Sequence, residues 1–499
     1  MGVTFGQGGC IIVLPPLPAE KQAYALARYS RSPDTIADSL RWVQDHSAER
    51  FWEKFYFEYG HASIADLGHL AICIEGLSDL AASAVLDDSL LDAQAKSTRY
   101  QDFSTVPLVF PCNDAEARLV FQQAATELLT AYREVFAVER RALVKAHPRP
   151  ATMDPERYER TLSARALDVA RYLLPMATST NVGLVMSVRT LERTIGRLLA
   201  SDYPEVQELG EALIKACQEP PAQFLAELFG QTTSIEPLAP TLARRAKLQN
   251  YAGIIREQAQ FELHAIPDTI LPVAIRGGIQ QAVGTVGTLD LLPAHELPDE
   301  MLATLFYSRT NMSYRDCLGV VSGLCLARRD GILYRLIGKT EPQQDPPREL
   351  QAGYHFIFDI QMDYGGWRDL HRHRRCVQIA QRIDLAASSA LPPVTADPGT
   401  PARLREAGER AQMAVSKLAN LAGDEAAHYL LPFAHQVRCL FKMDFAQLQY
   451  ICRLRTSPKG HDSYRSIAFA MAKAIWEKEP SLANFVVATG PEQRDPLVR

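Results

Sequence analysis

The chain carries one phrase twice, Ala170-Arg171-Tyr172-Leu173-Leu174-Pro175 and Ala427-His428-Tyr429-Leu430-Leu431-Pro432. A repeat has to be read before any local motif, because it decides whether one folding unit or two must be explained. Both copies lead into a pattern that reads as helical. In the second, Leu448, Ile451, Cys452 and Arg455 lie at i, i+3, i+4 and i+7 on one face. The same register in the first copy selects Leu191, Ile195 and Leu198, so Leu198 takes the place of Arg455. An arginine on an apolar face is either paired inside a core or serves a ligand.

Other pieces repeat with it. Tyr29-Ser30-Arg31 returns as Tyr307-Ser308-Arg309, and the apolar run at 70–74 returns at 354–362. In the later run Tyr354, Phe356, Phe358, Ile360 and Met362 share one face, which predicts a half-buried strand. Helical patterns are expected over 19–60, 114–147 and 156–229. The polar, Pro-containing stretch Gln231–Arg245 reads as a boundary. The expectation is an α+β fold of two similar domains, 1–230 and 231–499, each an antiparallel sheet packed against long helices.

Length and composition fit that picture. A chain of 499 residues is long for one core. An apolar fraction of 47% and a charged fraction of 22% are those of an ordinary globular protein. A net charge of −5 argues against a nucleic-acid binder carried by bulk charge. Nine cysteines without a Cys-x-x-Cys pair fit reduced thiols in the cytoplasm better than a disulfide frame or a zinc site. The first residues make a poor signal peptide, and no run reaches membrane-spanning length. Gly6-Gln7-Gly8-Gly9 has no preceding strand to make it a dinucleotide loop, and the spacing of His61, His69, His371 and His373 resembles no metal site.

The densest charge is Trp367-Arg368-Asp369-Leu370-His371-Arg372-His373-Arg374-Arg375, directly after the second apolar run. So many cations beside a buried strand must face solvent, pair with acids or hold an anionic ligand. In order and spacing, this cluster, Ser97-x-Arg99-Tyr100, the arginine before Leu-Leu-Pro and the Leu454-Arg455 pair resemble the flavin-dependent thymidylate synthases, twice over in one chain.

The resemblance implies reductive methylation of dUMP, with FAD, NADPH and methylenetetrahydrofolate. It also implies sites shared between neighbouring subunits of a tetramer. Arg372, His373 and Arg374 match the flavin motif and Arg455 the arginine that activates the uracil, while Arg193 joins the cofactor set. Ser97, Arg99, Tyr100 and Arg171, together with Asp369, make the substrate set. Neither half keeps the full inventory. The first has Asp87-Asp88-Ser89 where the second has Arg372-His373-Arg374, and the second has His428 where the first has Arg171. After Arg374 the chain runs Arg375-Cys376-Val377-Gln378-Ile379, without the family's Ser, Asn and Glu. Ala95, Asp444 and Ala446 also depart from its pattern.

The two inventories are complementary, so the expectation is a fused pseudo-dimer with one composite site and one relic, and a dimer of the chain as pseudo-tetramer. Guanidinium forks suit a nucleotide phosphate, and a buried cation suits charge developing on a pyrimidine ring. The alternatives are C5 methyl or hydroxymethyl transfer to another pyrimidine nucleotide, and a non-catalytic nucleotide-binding relative. No nucleic acid, membrane or metal is expected as a partner.

Overall fold

The structure, a computed structural model, describes residues 3–5, 9–12, 14, 17–33, 35–46, 48–53, 62–219, 251–266, 287–292, 295–337, 348–479, 483 and 486–498. The first half begins with strands β1 (Val3–Phe5) and β2 (Gly9–Ile11), then helices α1 (Ala19–Tyr29), α2 (Ile36–Asp45) and α3 (Ala48–Trp52). There follow β3 (His69–Ser78), α4 (Asp79–Val85), β4 (Leu91–Ala95), α5 (Ala115–Ala146), α6 (Pro155–Ala170), β5 (Ser179–Ser187), α7 (Val188–Leu199) and α8 (Pro204–Gln218). The second half has α9 (Tyr251–His264), β6 (Gly287–Leu292), α10 (Leu297–Tyr307), α11 (Tyr314–Ser322) and α12 (Leu326–Ile337). It continues with β7 (Phe356–Asp363), α13 (Tyr364–His371), β8 (Val377–Ala380), α14 (Thr400–Ala422), α15 (Asp424–His428), β9 (Gln436–Met443), α16 (Phe445–Arg455) and α17 (Asp462–Lys478).

The architecture is α+β. A three-stranded sheet has the order β3-β5-β4 and a four-stranded sheet the order β6-β7-β9-β8, with antiparallel pairing throughout. The strand-to-helix junctions are capped alike in both halves. Ser78 and Asp363 cap α4 and α13, at 3.0 Å to Ala81 N and 2.6 Å to Gly366 N. Ser187 and Asp444 cap α7 and α16, at 3.2 Å to Thr190 N and 2.8 Å to Gln447 N. Each side-chain oxygen satisfies an amide that the first helical turn leaves unpaired.

The two Leu-Leu-Pro phrases bind each other. Met176 N donates to Leu431 O at 2.9 Å and Phe433 N to Leu174 O at 2.8 Å. Ala177 N donates to Tyr429 O at 2.8 Å and Ala434 N to Tyr172 O at 3.0 Å. Each bond in one direction has its counterpart with the two copies exchanged, which is the signature of a local two-fold axis. The ladder also anchors the helices, since Leu80 N donates to Met176 O and Gly365 N to Phe433 O, at 3.2 and 3.1 Å. The long helices α5 and α14 cross antiparallel, with Glu116 on Lys417 at 3.0 Å and Glu127 on Arg410 at 3.3 Å.

One apolar cluster runs through both halves, from Leu70, Leu91, Val182 and Leu191 to Phe358, Phe433, Leu448 and Ile467. A second lies between α10–α12 and the far face of the four-stranded sheet, with Ile357, Val377, Ile379 and Leu440 beneath Leu305, Phe306 and Val321.

Four expectations change. The strand at 354–362 starts at Phe356 and is buried on both faces rather than half-buried, because α10–α12 cover the side that alternation assigned to solvent. The run at 70–74 is part of the longer strand β3. The block 156–229 is not wholly helical but contains β5, and each Leu-Leu-Pro phrase leads first to a strand and then to a helix. In β5 the buried Val182, Leu184 and Met186 alternate with Asn181, Gly183 and Val185, and small and polar partners blur that period in the sequence. The boundary at Gln231–Arg245 lies outside the described residues. Among the described residues, no helix is long and apolar enough to cross a membrane.

Leu174 and Leu431 are fully buried at the centre of the ladder. Leu174→Ala and Leu431→Ala should each cost about 2–5 kcal/mol, read as a lower urea midpoint. Because the core is shared, unfolding should be one transition by both fluorescence and circular dichroism; two resolved transitions would contradict the shared core.

Candidate functional site

The turn after α13 carries the cations. Arg372 closes the helix, and Arg372-His373-Arg374 leads into β8, so the motif lies between a helix and a strand. His373 is buried, and Arg455 Nε, at the end of α16, donates to its Nε2 at 2.6 Å. Burial, and then the Arg455 charge, push the His373 pKa down to about 3, so the ring is neutral at pH 7. An arginine can only donate, so Nε2 is the acceptor and the proton is on Nδ1. The Gln447 amide 3.2 Å from Nδ1 must then present its oxygen. His373 thereby aims Arg455 without competing with it in charge.

Among the described residues, no carboxylate pairs with Arg372, Arg374 or Arg455. Burial, outweighing Asp369, lowers the pKa of Arg372, with the charges of Arg368 and Arg455 acting in the same direction. Burial likewise lowers that of Arg374, and its Nε is buried without a partner. Both stay charged, since guanidinium does not lose its proton in proteins. A concentration of positive charge without an ion-paired acid among the described residues is suited to an anionic group.

The first half reaches the same place. Arg99 Nη1 donates to the hydroxyl of Tyr464 at 3.0 Å. Two guanidiniums approach the Tyr464 ring, with Arg99 Cζ 5.7 Å and Arg455 Cζ 5.3 Å from its centroid. Both are within reach of a cation–π attraction. The fork of Arg99 closes on Asp168 at 2.7 and 3.1 Å. Arg171, 1% exposed, gives both terminal nitrogens to Asp369 Oδ2 at 3.1 Å and one also to Gly365 O at 3.3 Å. Burial alone would raise the pKa of Asp369, but Arg171, Arg99, Arg372 and Arg368 together hold it well below the carboxylate range. Arg368 joins the halves directly, 2.6 Å from the buried Asp79 and 3.3 Å from Thr98 Oγ1.

Arg99, Arg171, Asp369, Arg372, His373, Arg374 and Arg455 therefore form one neighbourhood. Ser97 lies at its edge, its hydroxyl accepting from Arg99 N at 3.3 Å, and Tyr100 is exposed beside it. Two points differ from the sequence reading. The forks of Arg99 and Arg171, assigned to a phosphate, already hold Asp168 and Asp369. Arg193 is placed elsewhere, forked onto Asp88 at 3.0 and 2.7 Å.

Asp88 belongs to the counterpart of the cationic turn, and there both acids are paired. Asp87 binds Arg348 Nη1 at 2.7 Å and His371 Nε2 at 3.0 Å, and the apolar Leu198 is fully buried. Sequence reading missed Tyr464, Asp168 and Gln447. The available signal was the polar opening of α17, His461-Asp462-Ser463-Tyr464-Arg465, on an otherwise apolar helix.

The family described as "Thy1: Thymidylate synthase complementing protein" matches residues 16–220 and 352–481, more than half of the chain. The chain belongs to that family. The helical layer α10–α12 falls between the two matched segments. A "UPF0159 protein" of Chlamydia muridarum is 27% identical over 460 residues, covering 88% of this chain and 80% of that protein. Another from Thermoplasma acidophilum is 23% identical over 498 residues, covering 92% and 93%. A solved structure of thymidylate synthase ThyX from Helicobacter pylori with FAD and dUMP is 17% identical, with a TM-score of 0.27. It covers 40% of this chain and 89% of its own.

Burial holds four histidines of this region and the adjoining ladder neutral, His373 and His461 at about 3, His428 and His435 at about 4. Unfolded, each takes up a proton near pH 6.5 that the folded chain refuses. Stability is therefore lost as pH falls from about 6.5 toward about 4, by about 1.4 kcal/mol per pH unit for each histidine. Urea midpoints at pH 7 and pH 5 should differ less in His435→Gln than in the parent; equal differences would mean that His435 is protonated in the folded chain.

Proposed function

We propose that the chain is a flavin-dependent thymidylate synthase-like enzyme that methylates C5 of dUMP, or of a related pyrimidine nucleotide. It would do so at one composite site built from both halves. The observation that supports this most is the unneutralised set Arg372, Arg374 and Arg455, meeting Arg99 of the other half across the Tyr464 ring. The acid-answered counterpart around Asp87 and Asp88 argues for one such site per chain.

In this reading Arg372 and Arg374 hold the anionic part of FAD beside the neutral His373. FAD, with NADPH as reductant, supplies the hydride chemistry that side chains lack, and methylenetetrahydrofolate supplies the one-carbon unit. Arg455 stabilises negative charge that develops on the pyrimidine ring, a term that grows where water is excluded. Its direction is fixed by His373 at 2.6 Å, so the cation need not reorganise as the ring gains charge. Ser97 and Tyr100 edge the nucleotide. A carboxylate that stays ionised cannot face a phosphate, so Asp369 holds Arg171 in place and Arg171 contributes field rather than a fork. Arg193 has a structural task on Asp88. The protein works in the cytoplasm as a dimer of the fused chain, a pseudo-tetramer.

Purified chain should be yellow or take up FAD. With NADPH and methylenetetrahydrofolate it should release tritium from 5-tritiated dUMP. Arg455→Ala should lower that release about 100- to 1000-fold while FAD is retained, and Arg99→Ala should weaken dUMP binding. A colourless preparation that binds dUMP but takes up no FAD would overturn the enzyme in favour of a non-catalytic nucleotide-binding relative.

A further inference from the structure

Arg455 and Tyr464, the two residues that face each other in the site, are joined by the loop 456–460, whose backbone is held in an unusual way. Its carbonyls are taken almost entirely by arginine side chains. Thr456 O accepts from Arg465 Nε at 3.1 Å and Pro458 O from Arg165 Nη2 at 2.9 Å. Lys459 O accepts from Arg99 Nη2 at 3.4 Å and Gly460 O from Arg165 Nη1 at 3.3 Å. Ser457 O takes Gly460 N at 2.8 Å, closing the turn. A Cβ at Gly460 would come within 2.8 Å of Arg465 Cγ and 2.9 Å of Tyr464 Cε2, so the loop is pressed onto both side chains.

The same two buried arginines also hold the segment Thr489–Val498. Arg165 Nη2 donates to Val498 O at 3.0 Å and Asp495 O at 3.4 Å. Arg465 Nη2 donates to Gln493 O at 3.0 Å and Gly490 O at 3.2 Å. Thr489 N donates to Thr456 Oγ1 at 2.9 Å, and Arg494 pairs with Asp462 at 2.8 Å. Arg165 is 4% and Arg465 1% exposed. A planar fork with several donors can join two chain segments at once, which a single-point ammonium cannot. Buried carbonyls must also find donors, so loop and strap depend on the same guanidiniums.

We propose that Arg165 and Arg465 are positioning residues: through the strap 489–498 they fix the loop 456–460, and so the placing of Arg455 against Tyr464. Arg165 belongs to the first half, so the strap also makes the second half's cation depend on the first. This deepens the reading of the composite site and rests on it for the ligand. The loop restraint itself does not.

The test compares the parent with Arg165→Lys and with a chain shortened to end at Ala488, by amide hydrogen exchange and by FAD titration. Lysine keeps the charge but cannot bridge both segments. Exchange at Lys459 and Gly460 should quicken at least tenfold in both variants, and FAD affinity should fall at least tenfold. The amides of β7 and β9 should stay protected, which separates loosening of the loop from failure to fold. Unchanged exchange in the loop, or quickened exchange with full FAD affinity, overturns the proposal. If the parent binds no FAD, the functional reading has failed. The strap is then decided by exchange alone, quickening supporting it and no change overturning it.

Discussion

Everything in the molecule is hung on the antiparallel pairing of its two Leu-Leu-Pro phrases. Main-chain bonds of 2.8–3.0 Å tie Tyr172–Ala177 to Tyr429–Ala434 in exchange-related pairs. Proline removes a donor at the end of each phrase, and the ladder continues past it because its neighbours supply the bonds. From this seam β5 and β9 run outward into the two sheets, and α4 and α13 are anchored back onto it. Because the seam is backbone, it tolerates the exchange of Arg171 for His428 without losing register. That freedom let the two copies diverge in charge while staying equivalent in path.

The divergence has a physical logic. At the 372–374 turn, cations gather with no acid within ion-pair reach among the described residues, an arrangement that costs free energy unless an anion completes it. At the equivalent 87–89 turn the signs are reversed, the guanidiniums of Arg348 and Arg193 pair with the acids, and His371 Nε2 lies within hydrogen-bond distance of Asp87. Even the capping contacts have changed hands. Glu205 receives Ser78 Oγ at 2.6 Å in one half, while Ser463 Oγ donates to Asp363 in the other. One turn thus has its acids paired, in part by residues of the other half, while the arginines of the other turn have no acid partner among the described residues.

The arginines that approach from the first half act on the site through intermediaries. Arg99 holds Tyr464 and Arg171 holds Asp369, each with a carboxylate already in its fork. This makes the field around Arg455 a property of the whole assembly, with Arg368 on Asp79 joining the halves beneath it.

The repeat, the α+β class and the helical faces of α7 and α16 were all legible in the sequence, because they follow from local spacing. So was the list of arginines worth attention. β5 was not, because its alternation is broken by glycine and small polar residues. The double burial of β7 was not either, because it depends on a helical layer brought over it from elsewhere in the chain. Nor could spacing tell Arg368, paired with the buried Asp79, from Arg372, four residues on and without an acid partner among the described residues. Tyr464 and the arginine-held loop before it were likewise hidden. Sequence by itself determined the fold class, that its phrases recur and which arginines cluster. Which charges are answered by an acid only the tertiary structure decided, because ion pairs form between side chains that the fold, not the chain order, makes neighbours.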